Sequence, residues 1–300
     1  MRRLLSAALA LAGVAAAGAD APAPKVLAGR IERIGALPSR YVDPRPVDVW
    51  LPADFDGRRR YKVIYMHDGQ ALFDPGLSWN GVSWDVAGHV ARLRAAGAIA
   101  DTIVVGIWNN GAWRHAEYFP QKALAWLPEG VRGPFVQTLL KGRPQADNYL
   151  RFIVEELRPE IERRYPVRAG RENTIVMGSS MGGIISLYAL CEYPDVFGAA
   201  GCLSTHWIGT FEQNASIPLA TFTYLRDHLP DPRTHRIYMD HGTQGLDALY
   251  GVHQGFADVL MRERGYGEGS YKSLVFPGAT HQEADWARRL DTPLVFLAGP

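Results

Sequence analysis

The feature that most constrains the fold of this chain is a regular alternation between short apolar runs and longer segments with helical periodicity. The apolar runs are rich in β-branched and aromatic residues, and they cover residues 47–51, 61–66, 102–107, 174–177, 198–203, 236–239 and 271–276. Near-continuous apolar sequence, clearest in Ile103-Val104-Val105, is typical of strands that are covered on both faces of a sheet. The runs therefore predict central strands of a mostly parallel sheet.

The segments between these runs repeat apolar residues three or four positions apart. Residues 84–95 place Val86, Val90 and Leu93 on one side, and residues 147–165 continue the same pattern with Glu and Arg on the opposite face. Strands that alternate with helices in this way indicate an α/β fold with helices on both faces of the sheet. We expect a single domain over residues 20–300, with an antiparallel edge added around residues 29–51.

Composition is informative mainly through what it excludes. The 300 residues include 32 Lys and Arg against 31 Asp and Glu, which gives a net charge of +1. No run of Lys and Arg provides the basic surface that binding to nucleic acid requires. We therefore expect no nucleic-acid partner.

The first residues differ from the rest of the chain. Arg2 and Arg3 precede an apolar run over residues 4–17, and Ala17-Gly18-Ala19 supplies the small residues of a signal-peptidase site. Residues 1–19 are predicted to be a cleaved signal peptide, and a retained anchor is the alternative. No later stretch is apolar for long enough to cross a bilayer, so we expect a periplasmic or secreted protein without stable membrane insertion.

Cys191 and Cys202 are the only cysteines. If the chain is exported they lie in an oxidising compartment, where a disulfide can persist. Their spacing matches no metal-ligand pattern. A disulfide and a pair of small buried residues both remain open.

Residues 109–145 follow neither the strand nor the helix pattern. They contain Asn109-Asn110-Gly111, several prolines and the aromatic residues Trp113, Tyr118, Phe119, Trp126 and Phe135. A connection this long inside a compact domain is usually functional or disordered, and the aromatic content argues against disorder. We predict a lid-like insertion over the carboxyl edge of the sheet. Together with Trp207, its aromatic residues suggest a pocket for a ring-bearing or sugar-bearing acyl group.

The sharpest local motif is Gly178-Ser179-Ser180-Met181-Gly182-Gly183, which lies between a predicted strand and a predicted helix. It matches the G-x-S-x-G elbow, in which an abrupt strand-to-helix turn lifts a serine above the sheet. Glycines flank that serine because side chains there would clash. Ser180 is thus the predicted nucleophile. The alternatives are a plain glycine-rich turn and Ser179, although Ser179 occupies the variable position of the motif.

A serine nucleophile needs a base and a group that orients the base. In this type of fold the acid follows the serine and the histidine comes last. His281 lies in a loop after the last predicted strand and is the predicted base, whereas His206, His235, His241 and His253 are interpreted as surface or packing residues. The acid is expected after the strand ending near residue 239. Asp247 is preferred there, with Asp240 as the second candidate and a Ser-His dyad as the third possibility.

The oxyanion hole is predicted from two backbone amides, that of Met181 directly after the nucleophile and that of Gln70 in the loop after the 61–66 strand. Gly69 permits an unusual backbone turn before Gln70. The His67-Asp68 pair in the same loop would suit a metal site, but no second histidine or carboxylate stands beside it at ligand spacing. We expect no metal and no cofactor.

Four motifs together resemble the "Putative esterase" family of α/β-hydrolases, which includes enterochelin-esterase-like proteins, esterase D-like S-formylglutathione hydrolases, and feruloyl and acetyl-xylan esterases. The resemblance runs from about residue 45 to 290. It is carried by residues 67–73 (HDGQALF), the Gly-Ser-Ser-Met-Gly-Gly elbow, residues 242–247 (GTQGLD), and His281 with Trp286. It implies an α/β-hydrolase fold with Ser180 as nucleophile and His281 as base, and it supports Asp247 less firmly. The predicted export signal argues against S-formylglutathione as the substrate.

The sequence therefore predicts a serine esterase that acts on a small-molecule or glycan ester through an acyl-enzyme. Two alternatives are kept. The first is an acyltransferase, in which a sugar or lipid hydroxyl replaces water. The second is a non-catalytic carbohydrate- or siderophore-binding protein on the same fold, for which a damaged set of catalytic residues would be expected.

Overall fold

The computed structural model describes residues 22–300, so the signal peptide predicted for residues 1–19 lies outside the described residues. The centre of the molecule is an 8-stranded sheet. Its strands are β1 (Arg30–Leu37), β2 (Arg45–Leu51), β3 (Lys62–His67), β4 (Thr102–Ile107), β5 (Thr174–Ser179), β6 (Ala199–Leu203), β7 (Arg236–Gly242) and β8 (Tyr271–Phe276). Each predicted apolar run lies within one of these strands or overlaps it.

Helices connect the strands and cover the sheet. They are α1 (Val86–Ala95), α2 (Arg114–Tyr118), α3 (Glu129–Thr138), α4 (Ala146–Arg151), α5 (Arg158–Arg164), α6 (Met181–Glu192), α7 (Ser216–His228), α8 (Gly251–Glu263), α9 (Glu283–Arg289) and α10 (Asp291–Ala298). Short 3-10 segments lie at Gly69–Ala71, Gly111–Trp113, Gln121–Trp126, Arg171–Asn173 and Gly245–Leu249. Among residues 22–300, no helix combines the length and the apolar character needed to span a bilayer.

The strand order is β1-β2-β4-β3-β5-β6-β7-β8. Strands β3 to β8 are parallel to one another, and β1 and β2 form an antiparallel edge. This confirms the predicted α/β architecture and its N-terminal antiparallel edge. From β3 the chain first moves outward to β4 and then returns to β5 on the other side. The carboxyl ends of β3 and β5 thus flank a topological switch point, which is the usual place for a ligand site in an open α/β sheet.

The core lies on both faces of the sheet because successive strand residues point to opposite sides. In β3, Val63 and Tyr65 belong to the core under α4 to α8, and Ile64 and Met66 belong to the core under α1, α9 and α10. Helix α6 is buried over nearly its whole length. A sheet covered in this way holds the loops at its carboxyl edge on a rigid base.

Two regions differ in detail from their predicted form. The helix predicted over residues 147–165 consists of α4 and α5 joined by a π-helical segment, Phe152–Leu157. Residues 109–145 were predicted as an irregular insertion, and they contain α2 and α3 together with two 3-10 segments. Short helices with little periodicity are not evident from sequence patterns, since their conformation depends on what they pack against.

Candidate active site

Ser180 occupies the sharp turn between β5 and α6. Its backbone angles, φ 56° and ψ −122°, lie in a region that residues other than glycine rarely adopt. The turn requires glycine nearby, because a Cβ on Gly178 would lie 2.9 Å from the carbonyl carbon of Gly182. The strained turn presents the Ser180 side chain, which is partly exposed, at the N-terminus of α6. The motif therefore has the geometry of a nucleophile elbow.

His281 lies in the loop between β8 and α9, and its Nδ1–H donates to Asp247 Oδ1 at 2.6 Å. Asp247 belongs to the 3-10 segment after β7 and is fully buried. The His281 ring is held between two aromatic side chains at steep angles, Trp286 at 4.9 Å and Tyr250 at 5.6 Å between ring centroids. The hydrogen bond and the two ring contacts fix the orientation of the imidazole. Its other nitrogen, Nε2, has no hydrogen-bond partner among residues 22–300.

The second carboxylate oxygen of Asp247 is also satisfied. It accepts hydrogen bonds from Ser204 Oγ at 2.7 Å and from the Gly242 amide at 2.6 Å. Burial alone would raise the pKa of Asp247, but the bonds from His281, Ser204 and Gly242 hold this pKa below its ordinary value. Asp247 is thus a carboxylate aimed at His281.

Asp240, the second candidate for the acid, lies at the end of β7 and has other partners. It accepts from Arg289 at 2.9 Å, from the Tyr238 hydroxyl at 2.9 Å and from the Ser204 amide at 3.2 Å. Burial raises the pKa of Asp240, and the Arg289 guanidinium opposes this shift. The structure therefore places Asp247, and not Asp240, against His281.

Ser204, which the sequence analysis did not single out, connects the groups behind the acid. It follows β6 in a left-handed conformation with φ 43°. Its hydroxyl donates to Asp247 and accepts from Trp286 Nε1 at 2.9 Å and from Arg289 Nη2 at 2.8 Å. A polar residue directly after a central parallel strand is the signal that could have identified it.

The Ser180 hydroxyl makes no direct hydrogen bond to His281 within residues 22–300. In structures without substrate such bonds are often long or poorly aligned, and they tighten only in the complex. Tyr250 links the two loops: its ring packs on His281, and its hydroxyl is hydrogen-bonded to His206, whose amide donates to the Ser180 carbonyl. The structure therefore brings Ser180, His281 and Asp247 to one place at the carboxyl edge of the sheet.

The two amides predicted for the oxyanion hole lie in adjacent loops. Met181 is the first residue of α6, and Gln70 lies in the 3-10 segment after β3. The two loops are in contact, since a Cβ on Gly182 would lie 3.3 Å from the Asp68 carboxylate. In the described part of the chain neither amide donates a hydrogen bond to another protein group. Both N–H groups are free to bind an anionic oxygen.

Asp68 joins the loop after β3 to the 109–145 insertion. Its carboxylate forms a two-point ion pair with Arg114, with both N–O distances 2.7 Å, and accepts from Asn109 Nδ2 at 2.7 Å. Burial would raise the pKa of Asp68, but Arg114 and Asn109 lower it below its ordinary value. Across residues 22–300, no group of three or more His, Cys, Asp or Glu side chains is placed to hold a metal ion. The role of Asp68 is to fix the start of the insertion beside the elbow.

A group of packed rings lies on the other side of the elbow. The His206 amide donates to the Ser180 carbonyl at 3.2 Å, and His206 Nδ1 is hydrogen-bonded to the Tyr250 hydroxyl at 2.6 Å. Phe211, which is 57% exposed, packs against the rings of His206 and His115. Burial lowers the pKa of His206 well below its ordinary value, and burial together with Arg114 lowers the pKa of His115 to about 4. Both imidazoles are therefore neutral at physiological pH.

Trp207 does not line a pocket, and the two cysteines do not form a disulfide. Trp207 is fully buried and packs on Phe222 at 5.1 Å between ring centroids, so it belongs to the core. Cys191 and Cys202 are both buried and both free thiols. Burial raises the pKa of each thiol, which leaves both protonated and unreactive.

The chain is similar to known esterases in sequence and in fold. A family model described as "Putative esterase" matches residues 39–297. Over 157 residues the chain is 30% identical to the ferri-bacillibactin esterase BesA of Bacillus subtilis (strain 168), a match that covers 49% of each protein. The chain thus spans about half the length of that relative. It is 24% identical over 278 residues to the uncharacterized protein YbbA of the same organism, covering 88% of this chain and 97% of that protein.

Solved structures support the same assignment at the level of fold. A ferulic acid esterase superposes with a TM-score of 0.65 at 21% identity, over 90% of this chain and 97% of that one. The enterobactin esterase FES from Shigella flexneri, solved in the presence of enterobactin, superposes with a TM-score of 0.65 at 17% identity, over 92% of this chain and 59% of that one. Since the family model covers most of the residues, the chain belongs to the "Putative esterase" family, as the motifs in its sequence predict.

Proposed function

We propose that this protein hydrolyses carboxylic esters through an acyl-enzyme on Ser180, with His281 as base and Asp247 as the group that orients it. The observation that carries this proposal is the 2.6 Å hydrogen bond between His281 and the buried Asp247, placed beside a serine in a strained elbow. Membership of an esterase family supports the same reaction.

In the first step the Ser180 oxygen attacks the ester carbonyl carbon while His281 Nε2 removes the hydroxyl proton. Asp247 holds the proton on Nδ1, so the imidazole presents a lone pair at Nε2, and the carboxylate stabilises the imidazolium that forms. The carbonyl oxygen becomes an anion, for which the Met181 and Gln70 amides are the donors. The tetrahedral intermediate collapses when the leaving alcohol takes the proton from His281, and an acyl-serine remains.

In the second step water takes the place of the alcohol. His281 removes a proton from the water, which attacks the acyl carbon, and the same two amides again stabilise the oxyanion. The bond to Ser180 then breaks, the serine oxygen takes the proton back from His281, and the carboxylic acid leaves. The residues of this chain supply every proton transfer in this scheme.

The substrate we propose is a small-molecule or glycan ester with a ring in its acyl group. The rim of the site supports this choice, since the exposed Phe211 ring packs on His115 and on His206, whose amide donates to the Ser180 carbonyl. The names of the similar proteins point to esters of aromatic acids or siderophores. With the export signal predicted for residues 1–19, we place the reaction in the periplasm or outside the cell, with the 109–145 insertion as its lid.

The test is hydrolysis of p-nitrophenyl acetate and butyrate by the parent and by Ser180→Ala. We expect kcat to fall by about 10⁴- to 10⁶-fold in the variant, as loss of a serine nucleophile does. Ser179→Ala is the matched control, since Ser179 is the neighbouring buried serine at the end of β5, and it should keep kcat within about three-fold. Equal activity of Ser180→Ala and the parent would refute the proposal.

A further inference from the structure

A buried guanidinium lies behind the proposed acid without forming a direct hydrogen bond to it. The nearest atoms of Arg289 and Asp247, Nη2 and Oδ2, are 3.9 Å apart, and the two side chains are 3% and 0% exposed. A hydrogen-bonded pair of these groups would have an N–O distance of about 2.7 to 2.9 Å. Arg289 makes such a bond to Asp240, at 2.9 Å, and stops short of Asp247.

The Ser204 hydroxyl fills the gap between the two charges. Its oxygen lies 2.8 Å from Arg289 Nη2 and 2.7 Å from Asp247 Oδ2, and Trp286 Nε1 lies 2.9 Å from the same oxygen. Guanidinium and indole nitrogens can only donate hydrogen bonds. The hydroxyl oxygen therefore accepts twice, and its single hydrogen goes to Asp247. The direction of this bond follows from the chemistry of the partners.

The backbone and helix α9 hold Ser204 in place from two sides. Its amide donates to the Asp240 carbonyl at 2.8 Å. Trp286 and Arg289 lie three residues apart, on one face of α9, so both of their donors meet the same hydroxyl. Within residues 22–300, Arg289 Nε and Nη1 are buried and have no hydrogen-bond partner. The guanidinium thus has donors to spare for a second carboxylate.

A direct ion pair between Arg289 and Asp247 would weaken the support that the acid gives to the base. Asp247 serves the reaction by stabilising the imidazolium of His281 as it forms. A carboxylate that is already paired with a permanent cation stabilises a second cation less, which lowers the pKa of the imidazolium. The Ser204 hydroxyl gives Asp247 a hydrogen bond from a neutral group and keeps the charge of Arg289 farther away.

We propose that Ser204 is a positioning residue, which separates the Arg289 guanidinium from Asp247 and so leaves the carboxylate to stabilise His281. The inference rests on the proposed function, since it assigns a role toward Asp247 as the acid. It differs from a role in packing, because it predicts a change in the acidity of the His281 imidazolium and not only a loss of stability.

Other titratable groups also face this pair. The Tyr250 ring packs on His281, and the Tyr250 hydroxyl is hydrogen-bonded to His206. His241, at the end of β7, is hydrogen-bonded through Nδ1 to the Gly242 carbonyl at 2.6 Å. All of these groups stay in place in the variants that follow, so they do not produce a difference between those variants.

The test measures kcat/KM for p-nitrophenyl butyrate against pH in the parent and in Ser204→Ala. Without the hydroxyl, Arg289 can pair directly with Asp247. The acid limb of this profile reports the His281 imidazolium of the free enzyme. We expect its midpoint to move to lower pH by about 0.5 to 1 unit. On the plateau above the limb, kcat should fall by about 10-fold with KM within about two-fold.

Two further variants control for stability. Ser204→Cys fills the same space with a weak donor and acceptor, and should move the limb in the same direction, even if Ser204→Ala is too unstable to study. Ser186→Ala removes another fully buried serine hydroxyl, which donates to the Gly182 carbonyl at 2.7 Å. This variant should leave the limb in place and kcat within about three-fold of the parent.

Arg289→Gln tests the source of the effect, because it removes the charge and keeps an amide that can donate to Asp240. Alone, and in the double variant Ser204→Ala/Arg289→Gln, it should give an acid limb within about 0.3 unit of the parent's. A limb that does not fall in Ser204→Ala and Ser204→Cys, or that stays low in the double variant, would overturn the inference and leave the esterase proposal intact. Equal activity of Ser180→Ala and the parent would overturn both.

Discussion

Two aspartates near the end of β7 show how much a residue's role depends on its partners. Asp240 and Asp247 are both fully buried, and the sequence left both open as the acid. Asp247 lies against His281, whereas Asp240 lies against Arg289. In the first pair the imidazole can accept and release a proton during a reaction while the carboxylate stays ionised. In the second pair the guanidinium cannot, because it stays protonated.

This difference predicts different outcomes for the same substitution. Asp247→Asn should lower kcat for p-nitrophenyl butyrate by about 10³- to 10⁴-fold, since the imidazole loses the carboxylate that orients it and stabilises its charged form. Asp240→Asn removes the carboxylate that is hydrogen-bonded to the buried Arg289 and leaves this guanidinium only its longer contact with Asp247 at 3.9 Å. It should lower the free energy of unfolding by about 3 kcal/mol while keeping kcat within about ten-fold. Urea unfolding and steady-state kinetics on both variants measure the two effects. A larger loss of kcat in Asp240→Asn than in Asp247→Asn would reverse the assignment.

The sequence predicted Ser180, His281 and Asp247 because each carries a local signal, either a glycine-flanked elbow or a position after a late strand. Ser204 carries only the weaker signal of a polar residue directly after a strand, and His206 and Tyr250 carry no such signal. Their places depend on loops from β6 and β7 meeting at the elbow, which is a tertiary contact. His206 was interpreted as a surface or packing residue because a single histidine in a sequence does not indicate what its ring will face.

At the scale of elements, the strands were the most predictable part of the fold. A buried parallel strand must be apolar on both faces, which leaves a clear run in the sequence, as in β4. Helices α7 and α8 show no clear periodicity in the sequence, since apolar residues such as Leu219 and Phe256 also lie on their exposed faces. The helices of the 109–145 insertion are short, and their stability comes from tertiary contacts and not from periodicity.

The contact that anchors this insertion is the ion pair between Asp68 and Arg114. Arg114→Met should lower the free energy of unfolding by about 3 kcal/mol, because it leaves the Asp68 carboxylate without its partner in a site where both side chains are mostly buried. It should also lower kcat/KM for p-nitrophenyl butyrate by about ten-fold, since Asp68 precedes the loop that carries the Gln70 amide.

The double variant Asp68→Asn/Arg114→Met separates charge from packing. With no unpaired charge left, it should recover at least half of the lost free energy of unfolding. Urea unfolding of the parent, the two single variants and the double variant gives the four free energies of this double-mutant cycle. If the double variant loses as much as the two single losses added together, the two side chains do not act as a pair, and the anchoring role of this contact is wrong.

At the scale of the whole molecule, the sheet gathers the site from distant parts of the sequence. The loops after β3, β5, β6, β7 and β8 carry Gln70, Ser180, His206, Asp247 and His281 in turn, and all of them emerge at the carboxyl edge because these strands are parallel. Helix α6 starts at the switch point and points its N-terminus at the reacting oxygen. The alternation of strands and helices in the sequence was enough to predict this edge, and the motifs were enough to place the serine there.

The most direct test of the account is to locate the acyl group during turnover. The parent is mixed with p-nitrophenyl trimethylacetate, whose bulky acyl group slows release, quenched in acid, digested and mapped by mass spectrometry. The account predicts about one acyl group per chain, on the peptide that contains Ser180, and none in Ser180→Ala. An acyl group on another side chain, or rapid hydrolysis by the Ser180→Ala variant, would contradict it.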